Sequence, residues 1–525
     1  MSKGNGIVKA AIILAAAGLI SRILGFAFRI YMSNAIGAEG MGLFQLILPL
    51  YSLAWSISCA GITTTVSKLV AAENAKKQFG NMSRVARIAM GITFSLSIIV
   101  TCLLLFGAEF IAVRLLNEPR TLMSIKILSL AVPFMAVGSA VRGYFTGLSQ
   151  MHVPAISQVS EQIIRITVIT ALASTMIPRG LEYAAAAAVI GIAAGEILAF
   201  LYVMYSYRSH RVKWAFNHRI PSASVRTLLA AITSMALPLT LNRITGSLLT
   251  TVEAILIPRS LLSYGLTGSE AMAAFGRLTG MAMPLIFFPS AFLVSLSTSI
   301  VPAVSEASAG KNLRRVESVL SKAFLFTILV GIGAMTVFMT FPQELGMAIY
   351  SQDIGEILFL LAFVCPLWYY NITLNGVLNG LGRMGEVFKN NLISSVINIA
   401  SIVILVPRFG IPAFAIGWTV GVACQIILGT LRVRQEIPLH LPPVQYFLKP
   451  ALAGAAAGLL VKFGAGRLIF PFVSLRLGLV IALPLLLVLY LTFIVQLGIV
   501  SKSDIMKVVH RIIPGGKGEK LTRNF

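Results

Sequence analysis

The chain has 525 residues, of which 57% are hydrophobic and only 11% are charged, and its mean hydropathy is +0.89. This composition excludes a soluble globular protein and predicts a polytopic membrane protein. A formal net charge of +24 would favour nucleic-acid binding in a soluble protein, but in a membrane protein the basic residues are first assigned to the two sides of the bilayer.

The first apolar stretch contains two arginines. Arg22 lies near the middle of the predicted span Ile7–Tyr31, and Arg29 lies close to its outer end. A charged side chain at the bilayer centre costs about 2.5–3.5 kcal/mol on insertion scales, so we expect Arg22 to face a bundle interior or a watery cavity. For Arg29, snorkelling to the headgroups is an equally good interpretation. Their spacing of seven residues places both arginines on nearly the same helix face.

Apolar segments of about 20 residues predict an all-α fold with fourteen transmembrane helices. These helices are expected near Ile7–Tyr31, Leu43–Thr65, Val85–Phe106, Met123–Gly147, Val153–Ile177, Tyr183–Tyr207, Leu228–Pro258, Met272–Val301, Val319–Phe341, Ile357–Gly380, Val387–Val406, Pro412–Leu431, Tyr446–Phe463 and Ser474–Val500.

The basic residues outside these spans are strongly one-sided. With the amino terminus inside, 27 lysines and arginines fall on the cytoplasmic face and seven on the opposite face. The positive-inside rule therefore predicts a multi-pass membrane protein with both termini in the cytoplasm. Since topology and attraction to lipid headgroups account for most of the charge, we expect no nucleic-acid partner.

An internal repeat divides the chain. Proline and glycine positions recur at a constant offset of 233 residues: Pro133, Gly143, Gly147, Leu148 and Met151 match Pro366, Gly376, Gly380, Leu381 and Met384. Two six-helix lobes in the same orientation are predicted, because six spans is an even number. We expect an amino-terminal lobe over 1–222, a second lobe over 223–435, two further helices over 436–502 and a basic cytoplasmic tail over 503–525.

The charges within the predicted spans are predominantly positive. Three acids, Glu161, Glu196 and Glu253, are outnumbered by eight cations at or inside the spans: Arg22, Arg29, Lys126, Arg142, Arg165, Arg243, Arg277 and Arg476. Glu161 and Arg165 stand four residues apart on one helix, so mutual neutralisation is favoured for them over ligand contact. The remaining excess of arginine favours an anionic ligand, since the guanidinium fork suits phosphate oxygens.

Other chemistries lack their signatures. The five histidines are scattered, and no glycine-rich loop ending in Gly-Lys-Ser or Gly-Lys-Thr is present. We therefore expect no metal, no cofactor and no enzymatic activity.

Two motifs carry a family resemblance. Ser21-Arg22-Ile23-Leu24-Gly25-Phe26 and Gly37-Ala38-Glu39-Gly40-Met41-Gly42-Leu43-Phe44, together with the two-lobe repeat, resemble the multidrug/oligosaccharidyl-lipid/polysaccharide exporter superfamily. Within it the chain looks most like polysaccharide exporters of the stage V sporulation protein B type, and it is also similar to MurJ-type lipid II flippases.

The resemblance implies that an undecaprenyl-pyrophosphate-linked sugar is moved from the inner to the outer leaflet of a bacterial cell membrane by alternating access. Arg22 matches the arginine of the first motif, and Arg277 matches a cavity arginine of the MurJ-type flippases. The candidate diphosphate-binding residues are Arg22, Arg29, Arg142, Arg243 and Arg277.

The chain also departs from the flippases. The motif's further arginine is replaced by Phe28, and Leu43–Thr65 contains no lysine or arginine. The sugar is therefore left open between lipid II and a related lipid-linked oligosaccharide.

Alternatives remain open both for the embedded acids and for the function of the protein. Glu161, Glu196 and Glu253 are either structural partners of arginine, which the pairing argument favours, or sites for a coupling proton or ion. One alternative function is a cation-coupled drug or metabolite exporter, and another is a non-transporting scaffold for wall or spore-cortex synthesis. We expect a monomer in contact with membrane lipids.

Overall fold

The computed structural model describes residues 3–215, 223–309, 313–437, 439 and 441–500. The basic tail predicted over 503–525 lies outside these residues. Every regular element in the described ranges is helical, which confirms the all-α prediction.

The seventeen α-helices of the described residues follow one another in chain order. They are α1 (Lys3–Ala75), α2 (Phe79–Phe106), α3 (Leu122–Gly147), α4 (His152–Met176), α5 (Leu181–Ala215), α6 (Val225–Ser263), α7 (Gly268–Phe275), α8 (Met283–Ala309), α9 (Leu313–Thr340), α10 (Pro342–Tyr350), α11 (Gly355–Ala362), α12 (Val364–Gly380), α13 (Met384–Ile404), α14 (Val406–Phe409), α15 (Ile411–Arg434), α16 (Lys449–Leu468) and α17 (Leu475–Gln496).

Helix α1 is a hairpin of the first two predicted spans, hinged at Gly37. Gly37 has φ 69° and ψ −171°, a backbone conformation that glycine adopts without steric cost. The rings of Phe28 and Phe44 lie 6.1 Å apart, whereas sixteen residues of straight helix would separate them by about 24 Å. The two halves of α1 therefore run back alongside each other.

The predicted helices are consistent with the structure, although their number stays a prediction. Within the described residues, eleven helices are long and apolar enough to cross a membrane, or twelve if α11 and α12, bent by 48°, form one span. Helix α1 holds two predicted spans, and α4 matches the fifth but is not among the eleven. Glu161, Gln162 and Arg165 lower the hydropathy of α4.

A charged network anchors the hinge of α1 to the turn before α3. Arg120 donates from Nη1 to Glu39 Oε1 at 2.7 Å, and from Nε and Nη2 to the two oxygens of Glu118 at 2.7 and 2.9 Å. Glu39, Met41 and Phe44 recur as Glu270, Met272 and Phe275 at an offset of 231 residues. Glu270 instead caps the first turn of α7 together with Thr267. The repeat thus preserves these acids but gives them different partners.

The chain forms two compact units. The first contains the described residues of Met1–Ala291, Ile349–Ile357 and Phe388–Gly421, and the second those of Phe292–Ala348, Leu358–Val387 and Val422–Phe525. In the first unit α1 packs against α3, α4, α5 and α6. In the second unit α9 packs against α12 and α16.

The repeated glycines make equivalent contacts within each unit. A Cβ on Gly143 or Gly147 of α3 would lie 2.6 Å from the carbonyl oxygen of Thr63 or Ser67, respectively. In the second unit, a Cβ on Gly376 of α12 would lie 2.8 Å from the carbonyl oxygen of Ser297 in α8. Small residues let transmembrane helix backbones approach closely. The sequence repeat therefore encodes the same helix-to-helix approach twice.

Candidate anion-binding site

The nine predicted site residues all lie in the first compact unit. They are placed on α1 (Arg22, Arg29), α3 (Arg142), α4 (Glu161, Arg165), α5 (Glu196), α6 (Arg243, Glu253) and the π-helical turn Gly276–Ala282 (Arg277). The arginines among them fall into two groups. Some form an ion pair with a carboxylate, and the others have no carboxylate partner in the described residues.

Glu196 of α5 is the centre of the first neutralised contact. Its side chain is buried, and Oε1 accepts a hydrogen bond from the hydroxyl of Tyr51 in α1. Arg142 Nη2 lies 3.9 Å from Glu196 Oε2. The carboxylate thus joins α1, α3 and α5, and it neutralises Arg142, one of the predicted anion-binding residues.

Glu161 and Arg165 form the second neutralised contact. Arg165 Nη2 lies 2.7 Å from Glu161 Oε1, and the two side chains are 17% and 14% exposed. Two glycines of α5 allow this part of α4 to approach, because a Cβ on Gly191 would lie 3.0 Å from the Arg165 carbonyl oxygen and one on Gly195 2.8 Å from that of Glu161. The pair therefore lies at a close helix contact, where a neutral pair costs less than a lone charge.

Arg29 lies at the edge of this cluster. Its guanidinium interacts electrostatically with Tyr350 and with the like charge of Arg165. No carboxylate forms an ion pair with it within the described parts of the chain. Arg29 is half-buried, and although it lacks a carboxylate partner, its proximity to Arg165 sets it apart from the arginines that lie away from the neutralised pairs.

Arg22, Arg243 and Arg277 form the second group. Among the residues that the structure describes, none of the three makes an ion pair with a carboxylate. Arg22 and Arg243 are exposed in the protein without lipid. Arg277 is half-buried, and its fully buried Nε has no hydrogen-bond acceptor within the described ranges. Since a lone charge in hydrocarbon is costly, these side chains must face water or a ligand.

Arg243 is held by an aromatic ring. Its guanidinium carbon lies 5.5 Å from the ring centroid of Trp55 in the second half of α1. Around it, α6 is tied to α1 by three polar contacts: Gly61 N donates to Thr240 Oγ1 at 3.1 Å, the hydroxyls of Ser56 and Ser247 lie 2.6 Å apart, and Thr251 Oγ1 donates to the Pro49 carbonyl at 3.3 Å. These contacts fix the register of α6 against α1 and thereby place Arg243 beside Trp55.

Arg277 is placed by the turn that follows α7. A Cβ on Gly276 would lie 2.6 Å from the backbone nitrogen of Gly42, and Gln45 Nε2 donates to the Thr279 carbonyl at 2.7 Å. The π-helical turn therefore lies against α1 just beyond the Gly37 hinge. Such turns are frequent at functional sites, because they redirect side chains from the regular helix pattern.

Glu253 lies apart from both groups. Its carboxylate is beside the side chain of Asn398 in α13, whose Oδ1 is buried and receives no hydrogen bond in the part of the chain that the structure describes. No arginine forms an ion pair with Glu253 among these residues, and its role as a partner of arginine or as a coupling site stays a prediction.

Sequence reasoning missed Tyr51 and Trp55. Both lie in the middle of the span Leu43–Thr65 and four residues apart, hence on one helix face. Tryptophan and tyrosine in membrane helices are enriched at the interfaces, so a pair at mid-span was a signal that these residues contact something polar.

The chemistry of the site follows from this sorting. Arg22, Arg243 and Arg277, with Arg29 at the edge of the cluster, have no carboxylate partner among the described residues. They provide strong hydrogen-bond donors for phosphate oxygens. Within the described residues no group of three metal-ligating side chains exists. The arrangement suits the binding of an anion rather than covalent chemistry.

Comparisons with known proteins agree with this fold. Residues 7–308 match the family described as polysaccharide biosynthesis protein, and residues 245–404 match the MatE family. Stage V sporulation protein B of Bacillus subtilis (strain 168) is 32% identical over 450 residues, which cover 85% of this chain and 87% of that protein.

Two further similarities concern lipid flippases. Lipid II flippase MurJ of the same organism is 26% identical over 350 residues, which cover 63% of this chain and 62% of that protein. A solved structure of lipid II flippase MurJ in an inward closed conformation superposes with a TM-score of 0.70 and 16% identity, covering 94% of this chain and all of that one. This last similarity concerns the fold alone.

Proposed function

The chain belongs to the polysaccharide biosynthesis protein family, as a multi-pass membrane transporter of bacterial type and not an enzyme, and on that premise we propose that it moves a polyprenyl-pyrophosphate-linked sugar from the inner to the outer leaflet. The sugar is a peptidoglycan precursor or a polysaccharide unit. Both termini lie in the cytoplasm, and the protein acts as a monomer by alternating access.

One observation carries the proposal. Arg22, Arg243 and Arg277 lie on membrane-spanning elements and have no carboxylate partner among the described residues, whereas Arg142 and Arg165 do. Among the predicted site residues, the charge excess therefore lies on these three guanidinium groups and on Arg29, which also has no carboxylate partner among the described residues. A buried charge without a partner is unfavourable, so an anionic ligand is the counter-charge that these residues need.

The same arginines explain how the headgroup crosses. A diphosphate entering hydrocarbon would lose its hydration without compensation, at a prohibitive cost for an isolated ion. Guanidinium donors replace the lost water by charge-assisted hydrogen bonds, so the barrier falls where they lie. The polyprenyl tail stays in lipid during this movement, since it is as apolar as its surroundings.

The membrane potential is the proposed driving force. An inside-negative potential favours outward movement of negative charge by about 2.3 kcal/mol per charge per 100 mV. Glu161 and Glu196 already serve as partners of arginine, which leaves Glu253 as the embedded acid available for ion coupling in the described part of the chain.

Purified protein in liposomes tests the proposal. A fluorescent polyprenyl-pyrophosphate sugar is placed in one leaflet, and its appearance in the other is followed with a membrane-impermeant quencher. We expect movement with the native protein, and loss of movement in Arg22→Ala and Arg277→Ala at unchanged expression and thermal stability.

Arg467→Ala is the matched control. Arg467 is an exposed arginine of α16, outside the repeat and without an ion-pair partner among the described residues, so its removal should leave translocation unchanged. Equal activity of all three variants would contradict the arginine mechanism.

A cation-coupled drug exporter is the second candidate, because residues 245–404 match the MatE family. The same liposomes, loaded with a cationic dye, separate the two. Dye movement that depends on Glu253 and needs no arginine, without movement of the lipid-linked sugar, would establish the exporter instead.

A further inference from the structure

Arg22 and Arg243 occupy equivalent positions in the two sequence repeats. Each is followed by isoleucine and, three residues on, by glycine: Arg22-Ile23 with Gly25, and Arg243-Ile244 with Gly246. Both side chains are exposed in the protein without lipid, and within the described residues neither makes an ion pair or a hydrogen bond. The repeat has therefore kept a pair of arginines without carboxylate partners in the described part of the chain.

The α1 hairpin places the two arginines at a similar depth. Arg22 lies fifteen residues before the Gly37 hinge, which is about 22 Å along the helix. Arg243 lies over Trp55, eighteen residues after the hinge, which is about 27 Å along the returning half. Measured from the hinge, both guanidinium groups are thus in the middle part of their predicted spans.

Arg277 lies at another level. Its turn contacts α1 between Ala38 and Gln45, within about 12 Å of the hinge. Arg22 and Arg243 therefore lie at mid-span, whereas Arg277 lies near the hinge.

We propose, on the basis of the proposed function, that Arg22 and Arg243 form a two-guanidinium clamp for the diphosphate at mid-membrane, that Trp55 positions Arg243 in it, and that Arg277 contacts the diphosphate in a separate step nearer the hinge. Two phosphates and two guanidinium groups match in number and charge. Each guanidinium fork binds oxygens of one phosphate through two parallel N–H bonds.

Trp55 suits the role of a positioning residue. An aromatic ring binds the flat face of a guanidinium and leaves its five N–H donors at the edge available. A carboxylate in the same place would occupy those donors and compete with the substrate. Trp55 therefore fixes Arg243 and keeps its binding edge free.

The fluorescence of Trp55 itself tests the clamp. Trp214, Trp368 and Trp418 are replaced by Phe, so that Trp55 is the single tryptophan of the full chain. In nanodiscs, geranylgeranyl pyrophosphate is expected to change the Trp55 emission saturably, while geranylgeraniol, which lacks the diphosphate, leaves it unchanged.

Arginine variants then distinguish diphosphate binding at mid-membrane from the separate contact at Arg277. Arg22→Ala and Arg243→Ala should weaken binding of geranylgeranyl pyrophosphate at least tenfold, whereas Arg277→Ala should keep the emission response and lose translocation. In the native tryptophan background, Trp55→Leu should weaken binding about three- to thirtyfold, the range of a cation–π contact, and Trp55→Phe should restore most of it.

The outcomes distinguish this inference from the proposed function. If Arg22→Ala and Arg277→Ala abolish translocation but Arg243→Ala binds and transports normally, the clamp is wrong and the function stands. Loss of the Trp55 emission response in Arg277→Ala would contradict the proposal that Arg277 contacts the diphosphate in a separate step. If no variant affects binding or translocation of the lipid-linked sugar, the proposed function fails together with the clamp.

Discussion

The Glu161–Arg165 pair tests the division of the arginines into those neutralised by a carboxylate and those that bind the anion. We expect Arg165→Met to destabilise the protein strongly, because it leaves the Glu161 carboxylate without its partner at a close helix contact. At an effective dielectric constant of about 20, two unit charges 2.7 Å apart attract by about 6 kcal/mol. Desolvation of both ions offsets much of this gain, so the pair itself contributes little net stability.

The single substitution has a different energy. Removing one partner of a buried pair costs about 3–5 kcal/mol, because the remaining charge is uncompensated. The pair is 14–17% exposed and Arg29 lies nearby, so we expect about 3 kcal/mol, at the lower end. The double variant Glu161→Gln with Arg165→Met should lose less than about 1 kcal/mol, since no charge is left unpaired.

The assay is a double-mutant cycle on unfolding in mixed micelles, followed by circular dichroism. Arg179→Met is the matched control, because Arg179 is exposed at the end of α4 and should change stability by less than about 0.5 kcal/mol. The double variant should also keep translocation, as it leaves the net charge unchanged. A stable Arg165→Met protein that has lost translocation would refute the assignment of Arg165 to the neutralised pairs. It would place Arg165 in the anion site.

Three further predictions concern the helix contacts, the hinge and the driving force. Gly376→Leu should prevent the close approach of α12 to Ser297 and lower the melting temperature, whereas Gly385→Leu, which has open space around it, should not lower it. Equal melting temperatures of the two variants would contradict the packing role of the repeated glycines. Gly37→Ala should cost about 1–3 kcal/mol in unfolding measurements, because its φ of 69° and ψ of −171° lie in a region that essentially only glycine adopts. Gly18→Ala, inside the helix, should not destabilise the protein, and a neutral Gly37→Ala would mean that the hinge needs no glycine. Translocation of the lipid-linked sugar in liposomes should accelerate with an inside-negative potassium-diffusion potential, and a rate independent of potential would exclude this driving force.

The membrane class, the spans and the repeat could be predicted from the sequence because they depend on local properties. Hydropathy over about 20 residues predicts a helix in lipid, since the backbone has no other way to satisfy its hydrogen bonds there. The glycines at a 233-residue offset predicted a duplicated architecture, and Gly143 and Gly376 show the same close helix approach in the structure. The lobe boundaries at 222 and 435 stay predictions.

Only the tertiary structure decided which arginines are neutralised. Glu161 and Arg165 are four residues apart, so their pairing is visible in the sequence. Arg142 and Glu196 lie on different helices, and no spacing reveals their contact. The rotation and crossing of packed helices decide such partners, and these depend on contacts along the whole helix surface.

The same reason applies to Arg243 and Arg22. The sequence by itself determined that both arginines lie within apolar spans and recur in the repeat. The fold-back at Gly37 and the register of α6 on α1 decided that they lie at a similar depth and that Trp55 covers one of them. A charge within a span is a property of the sequence, whereas its freedom to bind a ligand depends on which side chains the folded helices bring within reach of it.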